Sequence, residues 1–175
     1  MITFTPLADS DHQHFAKDLF ESAFPEEERP PFGRLKKRNN SRFHFLVATT
    51  EDDDEPIGIL SYWRFDDFTY VEHFAIAEEL RNQGLGKAVF LNFVSQQTQQ
   101  IVMEVEPSHD EMSDHRIEFY ASMGFVQNPQ PYEQPSYHGD SRRIPMIIMS
   151  KLPLDDDEFE EVKRQIYSEV YLVAD

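Results

Sequence analysis

The chain has 175 residues, an apolar share of 39% and no cysteine. That length suits one domain with a full core, and the lack of cysteine excludes disulfides, thiolate metal sites and a cysteinyl acyl-enzyme. The formal net charge of −17 argues against nucleic acid, whose phosphates it repels, and favours steering of cationic small molecules or basic peptides, beside its plain effect on solubility.

The N-terminal "MITFTPLADSDHQHF" lacks the basic start and apolar run of a signal peptide, and no stretch reaches the length of a membrane span, so a cytoplasmic protein without membrane contact is expected. "MITFTPL" reads as a strand. In "ADSDHQHFAKDLFESAF", Phe15, Leu19 and Ala23 recur at four-residue spacing, the stripe of a helix packed on one side. "PEEERPPFGRLKKR" has the acidic start and basic finish of a second helix, disturbed by Pro30 and Pro31. It opens a positive island, Gly33 to Arg42, read as a solvated face or an anion receiver. "RFHFLVATT" and "PIGILSYWRF" are expected to pair across the acidic turn "EDDDE", and "TYVEHFAIA" follows as a central strand.

Beyond "RNQGLGKA", Leu85, Val89 and Phe93 share one helical face with Phe90 and Val94 beside it. "QIVMEVE" is a strand. "SDHRIEFYASMGF" is a helix that Ser113 or Asp114 can cap and Gly124 can terminate. The proline-laden "VQNPQPYEQPSYHGDSRR" is a loop or an interrupted edge strand, "IPMIIMSKL" a strong strand, and the tail from Leu154 one more helix with Phe159, Val162 and Ile166 inward. Strands alternating with helices predict an α/β layered domain. Residues 1–152 are assigned to it, and 153–175 to a helical extension packed on the same domain.

The glycine loop poses a question of whose phosphates it holds. A P-loop needs glycine at position 81 and a hydroxyl at 88, where Arg81 and Ala88 stand. A dinucleotide fingerprint needs a small residue at Val89. Arg/Gln-x-x-Gly-x-Gly/Ala, by contrast, matches "RNQGLG" at every fixed position: backbone N–H groups at a helix N-terminus form an anion nest, and the glycines let the backbone approach a pyrophosphate.

"VEHFAIAEELRNQGLGKAVF" and "RIEFYASMGF" together resemble the GNAT superfamily of acyl-CoA-dependent N-acyltransferases. The resemblance implies a mixed, mostly antiparallel sheet flanked by helices, whose fourth and fifth strands splay to admit the pantetheine arm. It implies acetyl-CoA as co-substrate, its pyrophosphate on Arg81, Asn82, Gln83, Gly84, Leu85 and Gly86 with Lys87 adding charge, and its pantetheine on main-chain groups of Phe74, Ala75 and Ile76. "FYASMGF" places Tyr120 at the family's usual general-acid position. Ser113 stands where the family has Asn, and Arg116 where it has a small residue; Ser113 or Asp114 could replace the Asn contact to the cofactor, and Arg116 could reach a phosphate or simply solvent.

Acyl transfer to an amine needs a base for the ammonium proton and an acid for the departing thiolate. Without cysteine, direct transfer in a ternary complex is the natural route. Glu72, His73 and Glu104 are the candidate bases, with Glu72 and Glu104 preferred. Strand alternation puts Glu72 and His73 on opposite faces unless a bulge breaks the parity. "EVEPSHDEMSDH" gathers histidines and acids without sharp ligand spacing, so no metal is expected. Trp63, Phe65, Tyr132 and Tyr137 could wall an acceptor pocket. The expected function is N-acetyltransfer to a primary amine of a small molecule or peptide. The competing reading is a non-catalytic acyl-CoA-binding sensor, and turnover separates them. The aromatic loop and tail helix could each support a homodimer.

Overall fold

The structure is a computed structural model and describes residues 1 to 174. Its fold is of the α/β class, with strands, α-helices and short connecting turns. The chain divides into two compact units: residues 1–66 with 71–98, and residues 67–70 with everything from Gln99 onward.

β1 (Ile2–Pro6), β2 (Phe43–Thr50), β3 (Pro56–Arg64) and β4 (Phe68–Ile76) are neighbours in that order, and all but the first three residues of β4 belong to the first unit. The β1–β2 and β2–β3 pairs are antiparallel. The acidic 51–55 segment is the expected turn between β2 and β3, with Asp54 at φ +51. Gly58 of β3 is fixed by close approach: a Cβ there would lie 2.7 Å from the Ala75 carbonyl oxygen and 2.8 Å from an Ile76 methyl. Helix α1 (Gln13–Ala23) buries Ala16, Leu19 and Phe20. It covers the whole Phe15–Leu19–Ala23 stripe but starts later than the segment expected from Ala8, because Leu7–Asp9 forms a separate 3-10 turn. The second expected helix shrinks to α2 (Phe32–Lys36). Pro30 and Pro31 supply no N–H and force extended backbone ahead of it, so Glu26–Glu28 forms only a 3-10 turn. Phe20, Phe32, Leu35, Phe45, Val47 and Ile59 form the core between α1, α2 and the strands.

In the second unit, β8 (Arg143–Ser150) is the hub. It pairs antiparallel with β5 (Gln100–Val105), with the two-residue β6 (Val126–Gln127) and with β7 (Tyr132–Pro135). The proline-laden segment thus contributes two short strands rather than a plain loop. Asn128 fixes the connection between them: its amide donates to the Ile148 carbonyl and the Ser150 hydroxyl, and its carbonyl accepts from Leu154 N–H. Helix α4 spans Glu111–Ala121. Its cap is Asp110 rather than Ser113 or Asp114, so the helix begins earlier than the apolar pattern indicates. Helix α5 (Asp156–Ile166) is capped by an Asp155–Glu158 box and buries Phe159, Val162 and Ile166 as expected, each contributing about 1.5–3 kcal/mol. The helix does not run to the end of the chain. A π-helical turn, Tyr167–Tyr171, succeeds it, and Leu172 at φ +59 stops it.

Candidate active site

In the first unit, β4 leads through the Glu78–Leu80 turn into helix α3 (Leu85–Ser95). The glycine loop is the entry to that helix. Gly84 is its N-cap residue at φ +76, a left-handed conformation that glycine takes without strain, and no side chain caps the helix. The first N–H groups of a helix have no partner within it and carry the positive end of its dipole. A Cβ on Gly84 would meet nothing within 4 Å, so the glycine answers a backbone requirement and leaves an open approach. Asn82 is also left-handed, at φ +60, and Gln83 donates to the Glu79 carbonyl. The Arg81 side chain folds back, Nε donating to the Ile76 carbonyl at 3.0 Å, which ties the loop to the end of β4. Phe74 stacks against Phe90 at 5.1 Å and Tyr62 against Phe93 at 5.0 Å, so α3 is anchored by its apolar face. Ala75 and Ile76 are buried. Leu85 and Gly86 lie in the first turn, followed by Lys87.

Glu72 stands in the same unit, and its carboxylate is already engaged. Arg38 Nη1 donates to it at 2.7 Å and the Trp63 indole at 2.8 Å, with the Glu72 side chain fully buried. Burial alone pushes this carboxyl up; the Arg38 charge and the donated hydrogen bonds override it and hold the carboxyl below its ordinary range. Arg38 also lies over the rings of Phe43 and Trp63. The positive island therefore sends this arginine inward, to a carboxylate 34 residues away. His73 is buried beside Phe20 and Phe24, with Nδ1 3.0 Å from the Ser61 hydroxyl. Desolvation drives its pKa down to about 4, with Glu72 opposing. Ser61 and Trp63 sit two apart on β3, hence on one face. Glu72 and His73, adjacent on β4, both reach that face, so the strand alternation is broken between them.

In the second unit, Glu104 of β5 accepts from two phenols: Tyr132 on Oε1, and Tyr171 on Oε2 at 2.7 Å. Tyr70 and Tyr137 each lie 3.4 Å from the Tyr171 hydroxyl. Tyr132 and Tyr137 thus gather about the carboxylate, whereas Trp63 is buried in the first unit and stacks on Phe65. Tyr120 is buried on α4 between Phe119 and Phe125. Desolvation pushes its pKa up to about 12, against the lowering effect of Arg116. The phenol is a proton-holding group at every ordinary pH.

Two expected cofactor contacts have local duties. The Ser113 hydroxyl is inside the capping box, donating to the Asp110 carbonyl at 2.9 Å and accepting from His109 N–H and Asp110 N–H. Arg116 pairs with Glu106 at 2.7 Å. Among the described residues no group of three His, Asp or Glu gathers as a metal site, and no helix is long and apolar enough to cross a membrane. Arg38 and Tyr171 escaped the sequence reading. Each meets its partner across a long stretch of chain, and no local spacing marks such a pair.

Comparison with known proteins agrees with this layout. A search of curated proteins gives no match. Among solved structures, a protein from Bacteroides thetaiotaomicron assigned to the GNAT acetyltransferases is 35% identical, covers 98% of this chain and 99% of its own, and superposes with a TM-score of 0.89. An aminoglycoside 6'-N-acetyltransferase complexed with coenzyme A (16% identity, 89% of this chain and 99% of that one, TM-score 0.61) and Arabidopsis thaliana NAA60 in complex with acetyl-CoA (15%, 86% and 97%, TM-score 0.61) share the fold. The model of the acetyltransferase (GNAT) family matches residues 12–125, more than half of the sequence, and the chain belongs to that family.

Proposed function

We propose that the protein transfers an acetyl group from acetyl-CoA to a primary amine, by direct attack within a ternary complex. The observation that carries this reading is the uncapped N-terminus of α3, entered through a left-handed Gly84 with open space before it. Those N–H groups suit a pyrophosphate. The residues from Arg81 to Gly86 hold it there, Lys87 adds charge, and main-chain groups of Phe74, Ala75 and Ile76 bind the pantetheine.

Of the two carboxylates, Glu104 suits the general base better. Glu72 is neutralised by Arg38 and its side chain is sealed, whereas Glu104 accepts from two neutral phenols and is half-buried. Glu104, directly or through a water, takes the ammonium proton of the acceptor. Tyr120, kept protonated by burial, gives its proton to the departing thiolate. A net charge of −17 draws a cationic amine toward the protein. Ser113 and Arg116 serve the helix start and the β5 end rather than the cofactor.

Calorimetric titration with acetyl-CoA tests this, beside a Gly84→Val/Gly86→Val variant. Micromolar binding lost in the variant is the expected result; no binding by the native protein overturns the reading. Free thiol released only when an amine is added then separates the enzyme from a non-catalytic acyl-CoA sensor.

A further inference from the structure

We propose that the C-terminal segment is part of the working site: Tyr171, with Tyr132, is a positioning residue that takes up both oxygens of Glu104 and fixes the direction of its carboxylate. This rests on the reading of Glu104 as the base. The family match ends at residue 125, so both donors lie beyond the matched region.

The hydrogen-bond directions are determined by counting protons. A phenol has one proton and two lone pairs. Tyr171 gives its proton to Glu104 Oε2. In their 3.4 Å contacts with Tyr171, Tyr70 and Tyr137 are therefore the donors and the Tyr171 oxygen the acceptor. Tyr132 gives its proton to Oε1. Two phenols thus donate to the carboxylate, and two more lie against the Tyr171 hydroxyl. Burial first, and the Glu104 charge next, push the Tyr132 and Tyr171 hydroxyls well above the ordinary phenol range, so neither donor is lost at working pH.

The two donors share one frame. The Tyr167 hydroxyl donates to the Glu133 carbonyl at 2.6 Å, which pins the π-helical turn against the strand that carries Tyr132. Val173 N–H closes on the Tyr167 carbonyl and Leu172 turns left-handed, so the turn ends just after Tyr171. A phenol donor on each oxygen restrains the rotation of the carboxylate, and a carboxylate oxygen has a second lone pair beside the one such a donor uses. The titratable groups about Glu104 and its donors include Tyr132 on β7, Tyr137 in the loop beyond it, Tyr167 and Tyr171 on the turn, and Tyr70 on β4, with the Arg143 and Lys163 cations over the Tyr167 ring.

The test compares the full-length protein with Tyr171→Phe, Tyr132→Phe and Glu104→Gln, using acetyl-CoA and spermidine as the acceptor probe. The pH profile of kcat/KM is read beside the carbon-13 titration of the Glu104 carboxyl by NMR. Tyr171→Phe keeps the ring but not the proton. It is expected to lower kcat about tenfold with KM for acetyl-CoA unchanged, and to move the acid limb and the carboxyl titration upward by about half to one pH unit, because a donor to the charged form is lost. Tyr132→Phe moves both in the same direction. Glu104→Gln removes the limb and costs roughly a hundredfold or more in kcat.

If Tyr171→Phe melts earlier yet leaves the carboxyl titration in place, the tail is only structural and the proposal falls, while a dead Glu104→Gln leaves the base assignment standing. If Glu104→Gln turns over like wild type, the base assignment fails and the proposal with it. The NMR arm decides the tyrosine contact even if spermidine is not acetylated.

Discussion

Glu72 of the first unit and Glu104 of the second are the same residue type, each on a strand, and each accepts at least two hydrogen bonds. Their partners make them different chemical objects. Glu72 receives a guanidinium and an indole with its side chain out of solvent. Glu104 receives two phenols. A carboxylate neutralised by a cation in a sealed pocket is a poor proton acceptor and a good structural tie. One held by neutral donors keeps its charge available. What decides whether an acidic side chain works or holds is therefore the charge of its partner.

The largest expected effect separates the two on stability. Glu72→Gln leaves the largely covered Arg38 guanidinium without its counter-charge and should cost about 3 kcal/mol of unfolding free energy. Glu104→Gln leaves one phenol donating to the amide oxygen and one facing the amide NH2, which it can meet only as an acceptor, and should cost about 1 kcal/mol. Chemical denaturation with both variants makes the measurement. Equal losses would mean that the two carboxylates hold the fold alike, and the distinction drawn from their partners would collapse.

A double substitution sharpens the same point with a smaller effect. Arg38→Met alone strands the Glu72 charge, and Glu72→Leu alone strands Arg38. Arg38→Met/Glu72→Leu removes both charges and keeps apolar bulk between the rings of Phe43 and Trp63. Buried ion pairs replaced together by apolar groups are often neutral in stability. The double variant should therefore lose about 2 kcal/mol less than either single one. Additive losses would show that the pair contributes by packing and not by mutual charge compensation.

The two regions were also unequally legible in the sequence. The glycine loop and the run ending in Gly124 are short, contiguous patterns whose physics is local, so they could be read directly. Pro30 and Pro31 announced the damage to α2, though not that only five helical residues would remain. Both carboxylate environments were invisible, because Arg38 lies 34 residues from Glu72 and Tyr171 lies 67 from Glu104. Alternation along β4 misled as well, since it separates Glu72 from His73 where the structure brings both to the face of Ser61 and Trp63. The cap of α4 was missed because Asp110 precedes any apolar periodicity and is recognised only by its bond to Ser113 N–H.

The smallest effect at neutral pH is also the most pointed, because it concerns the residue beside Glu72. His73 is buried and neutral, its pKa lowered from 6.5 to about 4. Its unfolded form takes up a proton as pH falls below 6.5, while the folded form does not until about 4. Unfolding is thus favoured progressively across that window, by up to about 3 kcal/mol at its lower end and by nothing above pH 7. The Glu72 carboxyl, depressed in the folded state, adds a loss in the same direction at the acid end, as pH falls below the ordinary carboxylate range. His73→Asn removes the imidazole titration and leaves the carboxyl one. Its stability should hold nearly level between pH 6.5 and 5 where the wild type declines, and fall only below that. Stability curves of the two proteins that ran parallel from pH 7 to 4 would show that His73 takes up its proton in the folded state. The pocket around Glu72 would then be wetter than its partners imply, and the contrast with Glu104 would narrow accordingly.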